Sequence, residues 1–334
     1  MQLGIAINRA ASMDTTWTTI HIAVAAVRRG HAVRFVEPWD YEIDDASNLC
    51  ARVHAFDPAA GDPPITAEQM VDQLRTRSAK RRYIRLSNLD VLLVRAAPFS
   101  PSMLALAATV QDQGVMVVND PAGLLRVSHK GWLASLRDVP TPPTLVTQSR
   151  GAVQLFMERH RTDVVIKPAQ GSGGRDVALV KMKNARALER AFRRARGIGK
   201  HVVVQAYLPD AEAGEKRLVW MDGVVLGGYL RLRAPGEFRH NLKQGGTAVA
   251  TSVTEAEHAA VAPLSAHLLK LGIRLAGIDL IGNHIIEVNA LNPGGAYHAD
   301  RLGGTDIAGT IIEWLDSSRP PSKHGRNEWA HPVP

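Results

Sequence analysis

The spacing of apolar and polar residues changes along this chain, and the changes mark its elements. Residues 2–8 read as a strand, 16–29 as a helix closed by Gly30, and 32–36 as a second strand. A β-α-β opening of this kind predicts a parallel sheet. Residues 40–80 lose the pattern, turning acidic and then basic, and are expected to be an irregular surface excursion. The pattern resumes with a strand at 89–95, a helix at 101–113 and a strand at 115–119, which completes an N-terminal α/β domain at about residue 122. Residues 124–136 read as a helix carrying Lys130, and 139–144, with three prolines, as a linker-like turn.

A second unit, to about residue 200, contains the strand 163–168 and a helix at 185–196 that Gly197 is placed to end. A third, about 201–316, opens with a strand at 202–207. It continues with a hairpin, 217–221 and 224–232, turning at Asp222-Gly223. Thr254 and Glu257 predict a capping box for a helix ending near Leu271, with Gly272 as its C-terminal cap. A last helix is expected at 307–315, and 317–334 as a mobile tail.

The richest stretch is Gly277–Asn289, in which Asp279, Glu287 and Asn289 interrupt two apolar runs flanking Gly-Asn-His. A three-residue loop, 282–284, pairs Asp279 with Glu287, and alternation brings Asn289 to the same face. Ile278, Leu280, Ile286 and Val288 then share the opposite face. Two carboxylates and an amide are hard oxygen donors that suit Mg²⁺ holding substrate phosphates, although a solvated strand face gives the same pattern. Upstream, a β-branched strand ends in Lys167 and runs into Gln170-Gly-Ser-Gly-Gly-Arg-Asp-Val177. Glycine backbone N–H groups beside an ammonium suit phosphate, and an ordinary turn remains the alternative. The loop matches neither a P-loop nor a dinucleotide-binding fingerprint.

A chain of 334 residues that is 45% apolar has material for two or three domains. It has no apolar run of membrane-spanning length and no signal-peptide pattern. One cysteine, Cys50, excludes an intrachain disulfide, fits a reducing cytoplasm and has no nucleophile motif around it. The net charge of +8 is read as scattered, with local clusters such as 193–196 and no interleaved aromatics. The expected partners are therefore small anionic molecules rather than nucleic acid or membrane.

Six blocks in order carry a resemblance: Lys130; Ile166-Lys-Pro with its glycine loop; Gln205-Ala-Tyr-Leu-Pro209; Gly214-Glu-Lys-Arg217; Arg239-His-Asn-Leu-Lys-Gln-Gly-Gly246; and Asp279 with Glu287-Val-Asn289. Over about residues 1–316 the chain resembles the ATP-grasp carboxylate–amine ligases, nearest to bacterial glutathione synthetase. The segment 237–242 is also similar to the ribosomal-protein-modifying glutamate ligases of that superfamily. The resemblance implies an α/β protein with α+β subdomains: an ATP-grasp fold behind an N-terminal parallel-sheet domain. Its subdomains would be 123–200 and 201–316, clamping ATP between them. It implies Lys130, Lys167, Gly171, Gly173 and Gly174 on the phosphates. Gln205, Ala206, Tyr207 and Leu208 would face adenine, and Glu215 the ribose. Asp279, Glu287 and Asn289 would be ligands of two Mg²⁺, with Glu287 bridging.

Arg217 matches the arginine near the transferred phosphate, Arg231 or Arg233 one on the acylphosphate side, with the spacing to Arg239 favouring Arg231, and Asn241 a residue near the metals and intermediate; 234–247 matches a loop covering the reaction. The implied activity joins a carboxylate to an amine through an acylphosphate, as in making glutathione from γ-glutamylcysteine and glycine. A homodimer or homotetramer is compatible with it. Two alternatives stand beside this reading: the same chemistry on another acceptor, such as glutamate addition to a protein, and an ATP-binding protein without ligase activity. The nucleotide side is intact. On the acceptor side the chain departs from the family, with Leu291-Asn-Pro-Gly-Gly-Ala-Tyr-His298 where a Ser-Pro-Thr turn is typical, and Ala-Ala-Pro-Phe after Arg95 in place of charged residues.

Overall fold

A computed structural model describes residues 1–58, 63–96, 100–171, 173–197 and 200–321. The Ala-Ala-Pro-Phe turn beyond Ala96, and the tail beyond residue 321, lie outside them. Three sheets organise the chain. The first has seven strands. Gln2–Ala6, Ala32–Val36, Val91–Val94 and Met116–Val118 form its parallel part, as the opening β-α-β pattern requires.

The excursion expected over 40–80 is instead ordered structure of this sheet. Strands Tyr41–Ile43, Leu49–Phe56 and Lys80–Arg85 extend it antiparallel, and helix Ala67–Arg75 covers it behind a capping box at Thr66 and Gln69. The reason is visible in Leu49–Phe56, seven of whose eight residues are buried. A strand buried on both faces loses the alternation by which strands are recognised. The helix expected over 124–136 is two pieces, an α-helix at Pro121–Val127 and a 3₁₀ helix at Lys130–Ser135.

The second sheet, four strands, joins Thr144–Thr147, Val164–Pro168, Ala178–Val180 and Val202–Ala206. Helices Arg150–His160 and Ala185–Arg196 pack on it around Val153, Ile166, Phe192 and Val204, a core of its own. Strand Val202–Ala206 pairs with the Lys167 strand and so belongs to this sheet. Its residues 145–200 hold thirteen Lys and Arg against four Asp and Glu. The positive charge is therefore concentrated here, not scattered.

The third sheet, five strands, is built on Glu215–Met221, Val224–Leu232, Leu275–Ile281 and His284–Asn289. Asp222 and Gly223 both take positive φ, 46° and 94°, the two-residue turn their sequence announces. One face of this sheet buries Leu218, Trp220, Ile278 and Leu280 under the capped helix Glu255–Lys270. The other meets helices Ala296–Gly303 and Ile307–Ser318 through Val219, Met221 and Leu275, and joins the N-terminal core around Ile20 and Ile22. The first and third sheets thus share cores, while the second stands apart across a cleft.

Candidate functional site

The chemistry-bearing residues fall into a grid because strands alternate their side chains. On Glu215–Met221, residues 215 and 217 point the same way. Register sets Glu215 opposite Arg231, Arg217 opposite Asp279, and Asp279 opposite Glu287. Asn289 follows Glu287 on the same face and donates to Asp279 Oδ2 at 3.2 Å. The closing hairpin reaches this register differently from expectation. Ile281 pairs with His284, so the loop has two residues, and an irregularity beside Asp279 leaves Ile286 unpaired. A bulge thus restores the pairing of the acids that a two-residue loop alone would break. Ile285, not Ile286, is fully buried in the core. Ile286 lines the cleft, where its carbonyl accepts from Lys167 Nζ and Gln205 Nε2, each at 3.4 Å.

The cleft between the second and third sheets has about 980 Å³ of free space, the open solvent at its mouth included. Every site residue expected from the sequence lines it except Arg231: Lys130, Lys167, Gly171, Gly173, Gly174, Gln205, Ala206, Tyr207, Leu208, Glu215, Arg217, Asn241, Asp279, Glu287 and Asn289. Arg231 lines the adjoining cavity together with Arg217, Glu287 and Asn289. Gly174 sits at φ +72°, and a Cβ there would come within 2.5 Å of Asn241 Oδ1. Arg239 donates to the Gly174 carbonyl at 2.9 Å and Gln244 to that of Gly173 at 3.3 Å, so the segment 237–246 is pinned over the glycine loop.

The electrostatics alternate in sign. Lys130 Nζ lies 2.7 Å from Glu287 Oε1 and 2.9 Å from the Gly171 carbonyl. Arg217 grips Asp279 with two bonds, 2.5 and 2.7 Å, and Arg231 bridges Asp279 at 2.5 Å and Glu215 at 2.8 Å. Burial pushes Asp279 up, but Arg217 and Arg231 win and hold it at about 2. Glu287 is likewise lowered, because Lys130 and Lys167 outweigh burial. Glu215 goes the other way, to about 7, driven by burial and then by Asp279's charge against Arg231's opposition. Lys167 is lowered, chiefly by burial.

The three oxygen donors fit a magnesium ion. No group of three or more His, Cys, Asp or Glu among the described residues forms a metal cage. Magnesium, however, is normally held by one or two carboxylates together with substrate phosphates and water. Asp279, Glu287 and Asn289 offer that set on one wall of an open cleft.

The adjoining cavity holds residues that the sequence did not single out. Arg95 is 3% exposed, at the end of strand Val91–Val94. Its Nε donates to Thr19 Oγ1 at 3.1 Å, while one terminal nitrogen is buried without a partner among the described residues. Burial without a counter-ion pulls this guanidinium down to about 9. The available signal was an arginine closing an apolar strand at the carboxyl edge of a parallel sheet, where ligands bind. Thr18 Oγ1 accepts from the N–H groups of Gly295 and Ala296 at 3.0 and 3.1 Å, docking the 291–298 segment against the N-terminal domain.

Known proteins resemble this chain over most of its length. The chain is 29% identical to a glutathione synthetase of Synechocystis sp. over 310 residues, covering 90% of this chain and 93% of that one. It is 30% identical to a glutathione synthetase of Gloeobacter violaceus, covering 89% and 91%. Among solved structures it is similar to D-cycloserine synthetase, with a TM-score of 0.65 at 17% identity over 94% of this chain and 99% of that one. It is also similar to the D-alanine–D-alanine ligase of Coxiella burnetii, with a TM-score of 0.61 at 11% identity over 95% and 94%. At those identities the likeness concerns the ATP-grasp fold. The family models for the N-terminal domain and the ATP-grasp domain of prokaryotic glutathione synthetase match residues 1–125 and 132–304. The chain therefore belongs to the prokaryotic glutathione synthetase family of ATP-dependent ATP-grasp ligases.

Proposed function

We propose that the protein joins the cysteinyl carboxylate of the dipeptide γ-glutamylcysteine to the amine of glycine, converting ATP to ADP and phosphate, through an acylphosphate on that carboxylate. The observation that carries this reading is the meeting of Lys130 and Lys167 with Asp279 and Glu287 across one cleft, beside a second cavity lined by the buried Arg95. Lys130, Lys167 and the glycine loop take the nucleotide phosphates. The backbone at Ala206–Leu208, with Gln205, takes adenine, and Glu215 takes the ribose.

Asp279, Glu287 and Asn289 would hold magnesium, two ions being the expected number, with Glu287 the carboxylate best placed to serve both. Glu287 is the carboxylate more open to the cleft, its side chain 22% exposed against 5% for Asp279. When bound, magnesium neutralises and orients the β- and γ-phosphates. Arg217 and Arg231 present positive charge to the transferred phosphoryl group, and Asn241 holds the loop over it. Covering the site matters because water hydrolyses an acylphosphate. Arg95 supplies a buried guanidinium for a carboxylate of the acceptor dipeptide.

Three further assignments belong to the same reading. The units are 1–122, 123 to about 206, and from there to about 318. No helix among the described residues is long and apolar enough to cross a membrane, and the lone buried Cys50 suits the cytoplasm. A homodimer or homotetramer is the assembly to look for.

The test is phosphate release from Mg-ATP with γ-glutamylcysteine and glycine, each component omitted in turn. Release that requires all four supports the assignment. Release that ignores either peptide substrate contradicts it.

A further inference from the structure

We propose that His298 is the proton acceptor for the amine that enters the ligase reaction. This rests on the ligase reading above. An amino acid arrives as an ammonium, which has no lone pair with which to attack an acyl carbon. The site therefore needs a base that is unprotonated near neutral pH and faces the acceptor cavity. Three side chains lining that cavity carry a basic lone pair at neutral pH: Asp14, Glu287 and His298.

The first two are poor candidates. Asp14 is held below the usual carboxylate range, first by its hydrogen bonds from Thr16. Glu287 is engaged by Lys130 at 2.7 Å and faces the metal position. Carboxylates held in this way have their lone pairs engaged.

His298 is different. It sits on helix Ala296–Gly303, half-buried at the cavity wall. Its ring packs against Tyr229 at 5.2 Å and Tyr297 at 5.0 Å, which fix its position. No described residue hydrogen-bonds either ring nitrogen, so both remain available to a ligand. The groups facing it are Arg231 and Tyr229 from strand Val224–Leu232, His21 from helix Thr18–Arg28, and Tyr297 and Arg301 from its own helix. Burial, and then the charge of Arg231, push the imidazole below its ordinary value, which favours its neutral form.

The step balances as follows. The ammonium gives one proton to an imidazole nitrogen, and its freed lone pair forms the C–N bond. The C–O bond to phosphate breaks and the phosphate leaves with the electron pair. The second proton lost from nitrogen goes to the departing phosphate, and the imidazolium returns its proton to solvent.

The test compares the wild type with His298→Gln and with His298→Phe, which keeps the ring packing. Each is assayed with glycine and with hydroxylamine, whose nitrogen is already unprotonated at neutral pH. With glycine at pH 7 both variants are expected to lose about 10²–10⁴-fold in kcat, the usual contribution of a general base, and to recover part of it as pH rises. With hydroxylamine the loss should stay below about tenfold, because no proton need be removed before attack. An equal loss with both nucleophiles, or no loss with glycine, overturns the role of His298. A wild type inactive with glycine but active with hydroxylamine overturns glycine as the amine, and this inference with it.

Discussion

Lys130 Nζ and Glu287 Oε1 are 2.7 Å apart, although 157 residues separate them in the chain and they stand on different elements facing one cleft. The pair ties the segment that follows the N-terminal domain to the hairpin carrying the acids. It also sets a positive and a negative charge side by side on the cleft wall, where the proposed function needs a phosphate and a metal. Substituting Glu287→Gln is expected to lower kcat by about 10²–10³-fold, as loss of a key electrostatic group does. Thermal unfolding should fall by only about 1–2 kcal/mol, since the side chain lines an open cleft rather than a core. Unfolding of the variant at room temperature would assign Glu287 a structural role.

Asp279 links charge to stability. Its folded pKa is about 2, below the ordinary value of 3.8, so it stabilises the fold above 3.8 and that contribution is lost as pH falls through 2. Two arginines depend on it, so Asp279→Asn should cost about 3–5 kcal/mol at pH 7, the cost of breaking a buried pair. Denaturant midpoints measured from pH 5 to pH 2 should fall by less in the variant than in the wild type over that window. Parallel curves would contradict the pairing.

Gly174→Ala introduces a Cβ 2.5 Å from Asn241 Oδ1 at a φ of +72°. The strained loop should bind ATP about tenfold more weakly, for a backbone penalty of about 1–2 kcal/mol. Calorimetric titration with Mg-ATP measures this, and an unchanged Kd would remove the glycine loop from the phosphate site.

Arg95→Lys keeps the charge but not the fork of donors. The KM for the dipeptide acceptor should rise by about 10–100-fold, given the strength of charge-assisted bonds at about 1.5–3 kcal/mol. The KM for ATP should stay within twofold, about the accuracy of such a comparison. Equal shifts in both constants would mean that Arg95 supports the fold and not the acceptor.

Much of this site was legible because strand chemistry is local. Asp279, Glu287 and Asn289 share a face by period, and Lys167 leaves a β-branched strand into glycines. Strand 49–56 was hidden because burial on both faces erases alternation. The hairpin was half-read: the pairing of the acids was inferred from polarity, but the two-residue turn and the bulge that reconcile it with Ile285 in the core depend on tertiary packing. Arg95 was missed as a site residue because nothing in Val-Arg-Ala tells that its guanidinium will be buried without an anion. Only the apposition of strand Val91–Val94 with Thr19 shows that. His298 was lost for a similar reason, since its value lies in what fails to bond it.

The central claim is that ATP activates a carboxylate by phosphorylating it. It is tested most directly by labelling the acceptor carboxylate of γ-glutamylcysteine with oxygen-18 and analysing the phosphate released on turnover with Mg-ATP and glycine. One labelled oxygen in each phosphate is the predicted result, because the bond that breaks lies between the acyl carbon and the carboxylate's own oxygen. Unlabelled phosphate, or AMP in place of ADP, would contradict it.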